Sequence, residues 1–176
     1  MNNISLGQFS IVEDNVIIGD NVTIGDFCKI SSGTVIGNNV VIKDYVRTTG
    51  NCYIGNDVSI RTGTIISRGV EIEDKCFIGA GVITGSTDLV NGEMKKVVTH
   101  IGFNSKIFSG VNIKPGVFIN DNVIVGSMSN VINCIFIYGV YAGNPAKAKK
   151  DIPKEQYIQR LDQTYQWDST GFERIY

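Results

Sequence analysis

Val16-Ile17-Ile18-Gly19-Asp20-Asn21-Val22-Thr23-Ile24-Gly25-Asp26-Phe27-Cys28-Lys29-Ile30 repeats its character every six residues, and that period decides the fold. Extended in both directions, a large apolar residue recurs at Leu6, Val12, Ile18, Ile24, Ile30, Ile36 and Ile42, and then at Ile54, Ile60, Ile66, Ile72 and Ile78. Within that run Thr48 alone departs. An α-helix repeats at 3.6 residues and a half-buried strand at two, so neither keeps one apolar residue in six.

Two positions before each of these lies a second series of small or β-branched residues: Val16, Val22, Cys28, Thr34, Val40, Val46, Cys52, Val58, Thr64, Val70, Cys76 and Val82. Positions i and i−2 share a face of a strand, so each repeat supplies a short strand with two inward side chains and then a bend. Three strands and three bends close a triangular coil, and stacked coils enclose one apolar column. Glycine follows the large residue at Gly19, Gly25, Gly37, Gly55, Gly79, Gly102 and Gly126, where a bend is expected to need backbone freedom that a Cβ restricts. Cys28, Cys52 and Cys76, in phase with valine and threonine, read as small core residues, and Cys134 falls outside the series.

After Thr84 the register is lost, and it resumes one residue out of phase at Ile101, Ile107, Ile113, Ile119, Val125, Val131 and Ile137. The intervening polar, glycine-bearing stretch 85–98 is an extruded loop, and a long loop on a regular scaffold is expected to be functional. The expected organisation is therefore an all-β parallel β-helix over residues 1–150, followed by a segment 151–176. Pro153, with Tyr157, Ile158 and Leu161 at helical spacing, predicts a short helix over 153–163 that caps the column's open end. Trp167, Phe172 and Tyr176 are expected to be packing anchors.

Composition narrows the function. A net charge of −1 gives no basic field for a nucleic-acid backbone. The N-terminus lacks a basic segment followed by an apolar one, and the apolar run Cys134–Ala142 is too short to span a bilayer, so a cytoplasmic protein without membrane association is expected. No two of the 4 cysteines have zinc-site spacing and there is 1 histidine, so no metal is expected.

The pattern of large aliphatic, glycine and small residue resembles the hexapeptide-repeat acyltransferases over about residues 4–150. Gly143-Asn144-Pro145-Ala146-Lys147 is similar to the sequence with which the acetyltransferase branch finishes its last coil. The resemblance implies a left-handed β-helix, although parallel crossovers are ordinarily right-handed, and a homotrimer with acetyl-CoA bound in the clefts between prisms. It also implies transfer to a sugar. Thr87-Asp88-Leu89 is slightly similar to a segment of the enzymes that N-acetylate nucleotide-linked deoxyamino sugars, though the Pro-Arg that often follows it there is absent.

Acyl transfer from a thioester needs a deprotonated nucleophile, a hold on the carbonyl and a track for the donor. His100, immediately before the inward Ile101, is expected to point outward and to serve as general base. Asp88 is the second catalytic candidate, and Glu93 and Lys95, with Lys96, are candidates for contact with a nucleotide diphosphate. For the donor, the resemblance implies backbone groups at Ser109-Gly110 and Gly126-Ser127 along the pantetheine arm, then Ala142, Gly143 and Asn144 toward the adenine. Lys147, Lys149 and Lys150 would meet the phosphates. O-acetylating relatives carry a histidine in the loop or the coil before it, where this chain has Gly85, Ser86, Thr87 and Asp88, so an amine acceptor is favoured over a sugar hydroxyl. Two other readings fit less well. A γ-carbonic-anhydrase-like hydratase needs three histidines per site; of non-enzymatic β-helices, ice-binding or scaffolding modules, the ice-binding kind presents flat threonine ladders, whereas exposed positions here vary among Lys43, Asp44, Arg61, Glu71 and Glu73.

Overall fold

The computed structural model describes residues 3–149, with the side chains of Leu89 and Val90 excepted. Three sheets of 9, 7 and 6 strands, parallel save for one closing strand, form the faces of a column, designated A, B and C in chain order. The first coil supplies Ile4–Leu6 to face A, Ile11–Val12 to face B and Ile17–Ile18 to face C, and the chain then returns to face A at Val22–Ile24. Partners on neighbouring coils are three repeats apart, as in Ile4 opposite Val22 and Tyr53 opposite Glu71. A six-residue repeat thus supplies one face and three repeats supply one coil.

Ile24, Ile30, Ile36, Ile42, Ile54, Ile60, Ile66, Ile72 and Ile78 are all at most 1% exposed, and the small series from Val22 to Val82 lies buried beside them. The column is therefore filled by the two series the sequence sets out. Leu6, in the end coil, is half exposed because no coil covers it. Thr48 keeps its place in the core without a buried unsatisfied hydroxyl. Its Oγ1 accepts the N–H of Ser31 at 2.8 Å and bonds the Thr34 hydroxyl at 3.2 Å.

The bends work differently from the expectation. The left-handed backbone position is the third residue after each inward aliphatic, and it recurs through Phe9, Asn15 and Asn21, through Gly63, Gly69, Lys75 and Gly81, and then from Asn104 to Met128. The glycines that directly follow the aliphatic have no such φ. They are required by close approach: a Cβ on Gly79 would lie 2.5 Å from the Ser109 nitrogen, and one on Gly55 would lie 2.7 Å from the Asp74 nitrogen. The residue after many of these glycines hooks one coil to the next, for Asp26, Asn38 and Asn56 each accept, through Oδ1, a backbone N–H from the preceding coil at 2.7–2.8 Å.

One further expectation is refined and another corrected. The extruded stretch 85–98 is itself ordered. Strands Thr87–Val90 and Glu93–Lys96 pair antiparallel, and Asn91 (φ 51°) with Gly92 (φ 79°) form a two-residue turn of the kind in which both central residues take positive φ. Ile137 is not inward but 69% exposed, and Ile135 is buried in its place. Ile119 bridges to Ile135, where the regular count would pair it with Ile137, so the last coil is two residues short. The chain closes with Gly139–Ala142 parallel to Val123–Val125, after which Lys147–Ala148 returns antiparallel to it. The helix expected over 153–163 and the anchors Trp167, Phe172 and Tyr176 lie outside the described residues.

The cysteines divide as their phases imply. Cys28, Cys52 and Cys76 are buried and free, and desolvation raises all three thiols, Cys76 to about 12. Cys134 is exposed. Titration of the native protein with a thiol reagent should therefore modify one cysteine per chain quickly and the other three only after denaturant is added.

Candidate active site

The hairpin leaves face B after Thr84 and the chain re-enters on face C at His100. It is inserted between two successive rungs of face C, so His100 takes the rung directly below Glu71, and Phe118 takes the rung below His100. All three precede an inward isoleucine and so project outward. His100 Nδ1 lies 3.4 Å from Glu71 Oε2, and the imidazole stacks on Phe118 with centroids 4.7 Å apart and planes within 4°. Phe136 extends the stack at 5.8 Å. The ring is thus fixed in plane by the phenyl group and in rotation by the carboxylate. With Nδ1 turned to Glu71, Nε2 is the nitrogen presented outward.

Glu71 and Phe118 are neighbours of His100 that the linear sequence does not reveal. Their signal was present, since each precedes an inward isoleucine as His100 does, but it appears only once the coils are stacked with the hairpin removed.

Asp88, on the first hairpin strand, lies 2.8 Å from Lys114 Nζ on the coil below, so this carboxylate ties the hairpin down to face B. Val97 rests over Gly116 and secures the returning strand. Glu93 and Lys95 pair with each other at 3.4 Å on the second strand of the hairpin, both well exposed.

The residues considered for a donor converge on a single feature, the edge where face A turns into face B. Ser109-Gly110, Gly126-Ser127 and Ala142-Gly143 stack there coil upon coil. The Gly110 N–H donates to Ala80 O, the Met128 N–H to Ser109 O and the Gly126 N–H to Tyr141 O, at 2.8–2.9 Å. Gly143 is held further by its N–H to Ser129 Oγ at 3.1 Å and by its carbonyl, which accepts the Asn130 N–H at 3.0 Å. Asn144 Oδ1 accepts from Asn130 Nδ2 at 3.3 Å. Lys147 lies across the strand pair from Ala142 and is exposed. Lys150 falls outside the described residues. At Gly63 and Gly81, on the same edge, nothing lies within 4 Å of where a Cβ would be, so the edge is bare along these coils.

In a triangular column, face C lies opposite the edge between A and B. His100 and the Gly81–Gly110 edge therefore share a level, within about half a coil or ~2.4 Å along the axis, yet stand on opposite sides of one chain. Among the described residues no cluster of histidine, cysteine and carboxylates suits a metal ion.

Residues 15–50 and 33–68 match the family model described as bacterial transferase hexapeptide (six repeats). A probable macrolide acetyltransferase from Lysinibacillus sphaericus is 35% identical over 75 residues, 43% of this chain and 42% of that protein. Among solved structures, a point mutant of AntD, an N-acyltransferase from Bacillus cereus in complex with dTDP and coenzyme A, superposes with a TM-score of 0.64 at 22% identity, over 89% of this chain and 87% of that one. A mutant perosamine N-acetyltransferase from Caulobacter crescentus in complex with CoA and GDP-perosamine gives 0.56 at 20% identity, over 84% and 58%. The chain thus spans less than half of that curated relative's length, and the structural likenesses establish the fold.

Proposed function

We propose, from the match of residues 15–68 to the bacterial hexapeptide-repeat transferases, that this chain is an acetyl-CoA-dependent acetyltransferase that N-acetylates a nucleotide-linked deoxyamino sugar, as a homotrimer. The observation that carries this reading is the level shared by His100 and the edge between faces A and B, which is bare at Gly81. One chain keeps them apart, whereas parallel packing of a second copy, face C against that edge, makes one cleft from both. The exposed Phe118, Phe136, Ile137 and Tyr138 at the lower end of face C give such packing an apolar surface to cover. The structural relatives bound to coenzyme A together with dTDP or GDP-perosamine support the substrate class.

Acetyl-CoA supplies the acyl group as a thioester. The exposed edge suits its extended arm: Gly81 leaves room, backbone groups at Ser109 and Ser127 line the track, and Lys147 and Lys149 give positive charge at the far end. His100, held by Glu71 and Phe118, orients Nε2 toward the acceptor. As the amine forms the new C–N bond and the C–S bond breaks, Nε2 takes the amine's proton and the sulfur leaves as thiolate. The hairpin, tied down through Asp88 and Lys114, walls the cleft, and the exposed Glu93 and Lys95 on its second strand are available to meet a charged acceptor.

The ordered His100–Glu71 pair also supports a second reading, since a sugar hydroxyl needs a base more than an amine does. Free-thiol release from acetyl-CoA, measured over nucleotide-linked amino sugars, free amino sugars and plain sugars, separates the two. The proposal expects release with a nucleotide-linked amino sugar. Release with a hydroxyl acceptor only would make this an O-acetyltransferase, and none with any acceptor would remove both readings. Sedimentation is expected to give three chains per particle.

A further inference from the structure

The edge that carries the bare glycines has a different character in its upper half. Its left-handed positions, one per coil, are Phe9, Phe27 and Tyr45, then Gly63, Gly81, Gly110 and Met128, whose Sδ covers Gly110. The three rings stack face to face, with centroids 5.2 Å apart and planes within 18° and 3°. Phe27, ringed on both sides, is 49% exposed, whereas Phe9 and Tyr45 at the ends are 75% and 59% exposed, consistent with one free face each. Below Tyr45 the ladder has a missing rung. At Gly63 nothing lies within 4 Å of a Cβ position, and Gly81 one coil further is equally open.

We propose that this missing rung is a nucleobase site: a planar heteroaromatic ring enters at Gly63, stacks on the lower face of Tyr45 and continues the ladder. Two observations beyond the rings support a nucleotide. Lys43 and Arg61 hold the first corner position on the coils of Tyr45 and Gly63, where Gly7, Gly25, Gly79 and Gly126 stand on other coils of this edge. Two cations are thus brought to the slot's level, Arg61 resting 5.4 Å over the Phe77 ring. Asp44, beside them, is committed to the backbone N–H of Asp26. From Tyr45 down to the level of His100 is about two and a half coils, or ~12 Å at ~4.8 Å per coil, a span suited to a nucleoside diphosphate with its sugar beyond. The inference rests on the proposed nucleotide-linked acceptor and assigns its base to a place on this chain.

The slot can be filled from within. Tyr45 and Phe27 already adopt φ of 59° and 55°, close to the 71° of Gly63, so Gly63→Tyr adds a fourth ring where the backbone accepts one. Tyr45→Ala removes the platform instead, and Phe9→Ala shortens the ladder at the far end, as a control for any general effect of the stack. Binding of UDP, dTDP and GDP is measured calorimetrically, with inorganic pyrophosphate as the charge-only probe, alongside steady-state KM for acceptor and for acetyl-CoA. A base stacked on one aromatic ring is worth about 5- to 150-fold in affinity.

The expected result is that at least one nucleoside diphosphate binds more tightly than pyrophosphate, that Tyr45→Ala and Gly63→Tyr each weaken it at least about fivefold, and that Phe9→Ala changes it less than twofold. Equal binding by wild type and both slot variants, no advantage over pyrophosphate, or a rise confined to the KM for acetyl-CoA, which would put the donor's adenine in the slot, each overturns it. Nucleotide binding that is lost in both variants, with no acyl transfer to any amino sugar, would leave the slot standing and remove the proposed reaction. Transfer to nucleotide-linked sugars that is indifferent to both substitutions would do the reverse.

Discussion

Replacing His100 with alanine is expected to lower kcat for acyl transfer by at least about 100-fold, the scale of a positioned general base, while leaving the column folded. His100 supports no core packing: it projects outward, and its contacts are Glu71 at 3.4 Å and the Phe118 ring at 4.7 Å. Stopped-time thiol release with saturating donor and acceptor gives the number, and circular dichroism checks the fold. A loss of only a few-fold would show that the amine attacks unaided and that His100 is a bystander on face C. Glu71→Gln should produce a smaller loss than His100→Ala, because it preserves shape and a hydrogen-bonding oxygen while removing the charge that favours an Nδ1–H tautomer. Equal losses would mean that the two residues act as an inseparable unit.

The largest stability effect is expected in mid-column. Ile60 is fully buried, with Ile42 on the rung above and Ile78 on the rung below. Truncation to alanine leaves a cavity that neighbouring coils cannot close, since their spacing is fixed by backbone hydrogen bonds, such as Lys43 N to Ile60 O at 2.9 Å and Arg61 N to Ile78 O at 2.8 Å. Ile60→Ala should cost about 2–5 kcal/mol, read from the midpoint and slope of urea unfolding. Ile18→Ala, in the partly exposed end coil, should cost less. If the two were equal, the stacked coils would not be sharing one core.

Most of the core was legible because the geometry that buries a residue also fixes its period. Every inward position from Val22 to Val82 could be numbered from the sequence, and the phase slip after Thr84 located the insertion. The misreadings have physical causes. Glycine after isoleucine looked like a demand for unusual dihedrals, when what excludes a Cβ is the adjacent coil, a contact between residues at least three repeats apart. The Asn91-Gly92 pair is a hairpin signal, but it was obscured by the polar composition around it. Ile137 followed the six-residue count faithfully, and the count failed because the last coil is two residues short, which only the pairing of Ile119 with Ile135 reveals. At the candidate site, the histidine was visible because it stands alone at the insertion's exit. Its carboxylate partner was not, because Glu71 becomes its neighbour only across the rung that the hairpin interrupts.

The left-handed corner positions carry phenylalanine, tyrosine, lysine, aspartate and methionine as well as asparagine and glycine. Side chains without a local hydrogen bond to offer lose about 1–2 kcal/mol in that conformation, so the coil ladder must impose it whatever residue stands there. Each coil therefore offers three display points whose occupants are nearly uncoupled from the core that supports them. A lineage could exchange one recognised molecule for another by rewriting these points alone, with the interior sequence held constant. Divergence in what is bound would then be expected to concentrate at every sixth residue, a spacing at which selection for binding and selection for folding act on different letters of the same repeat.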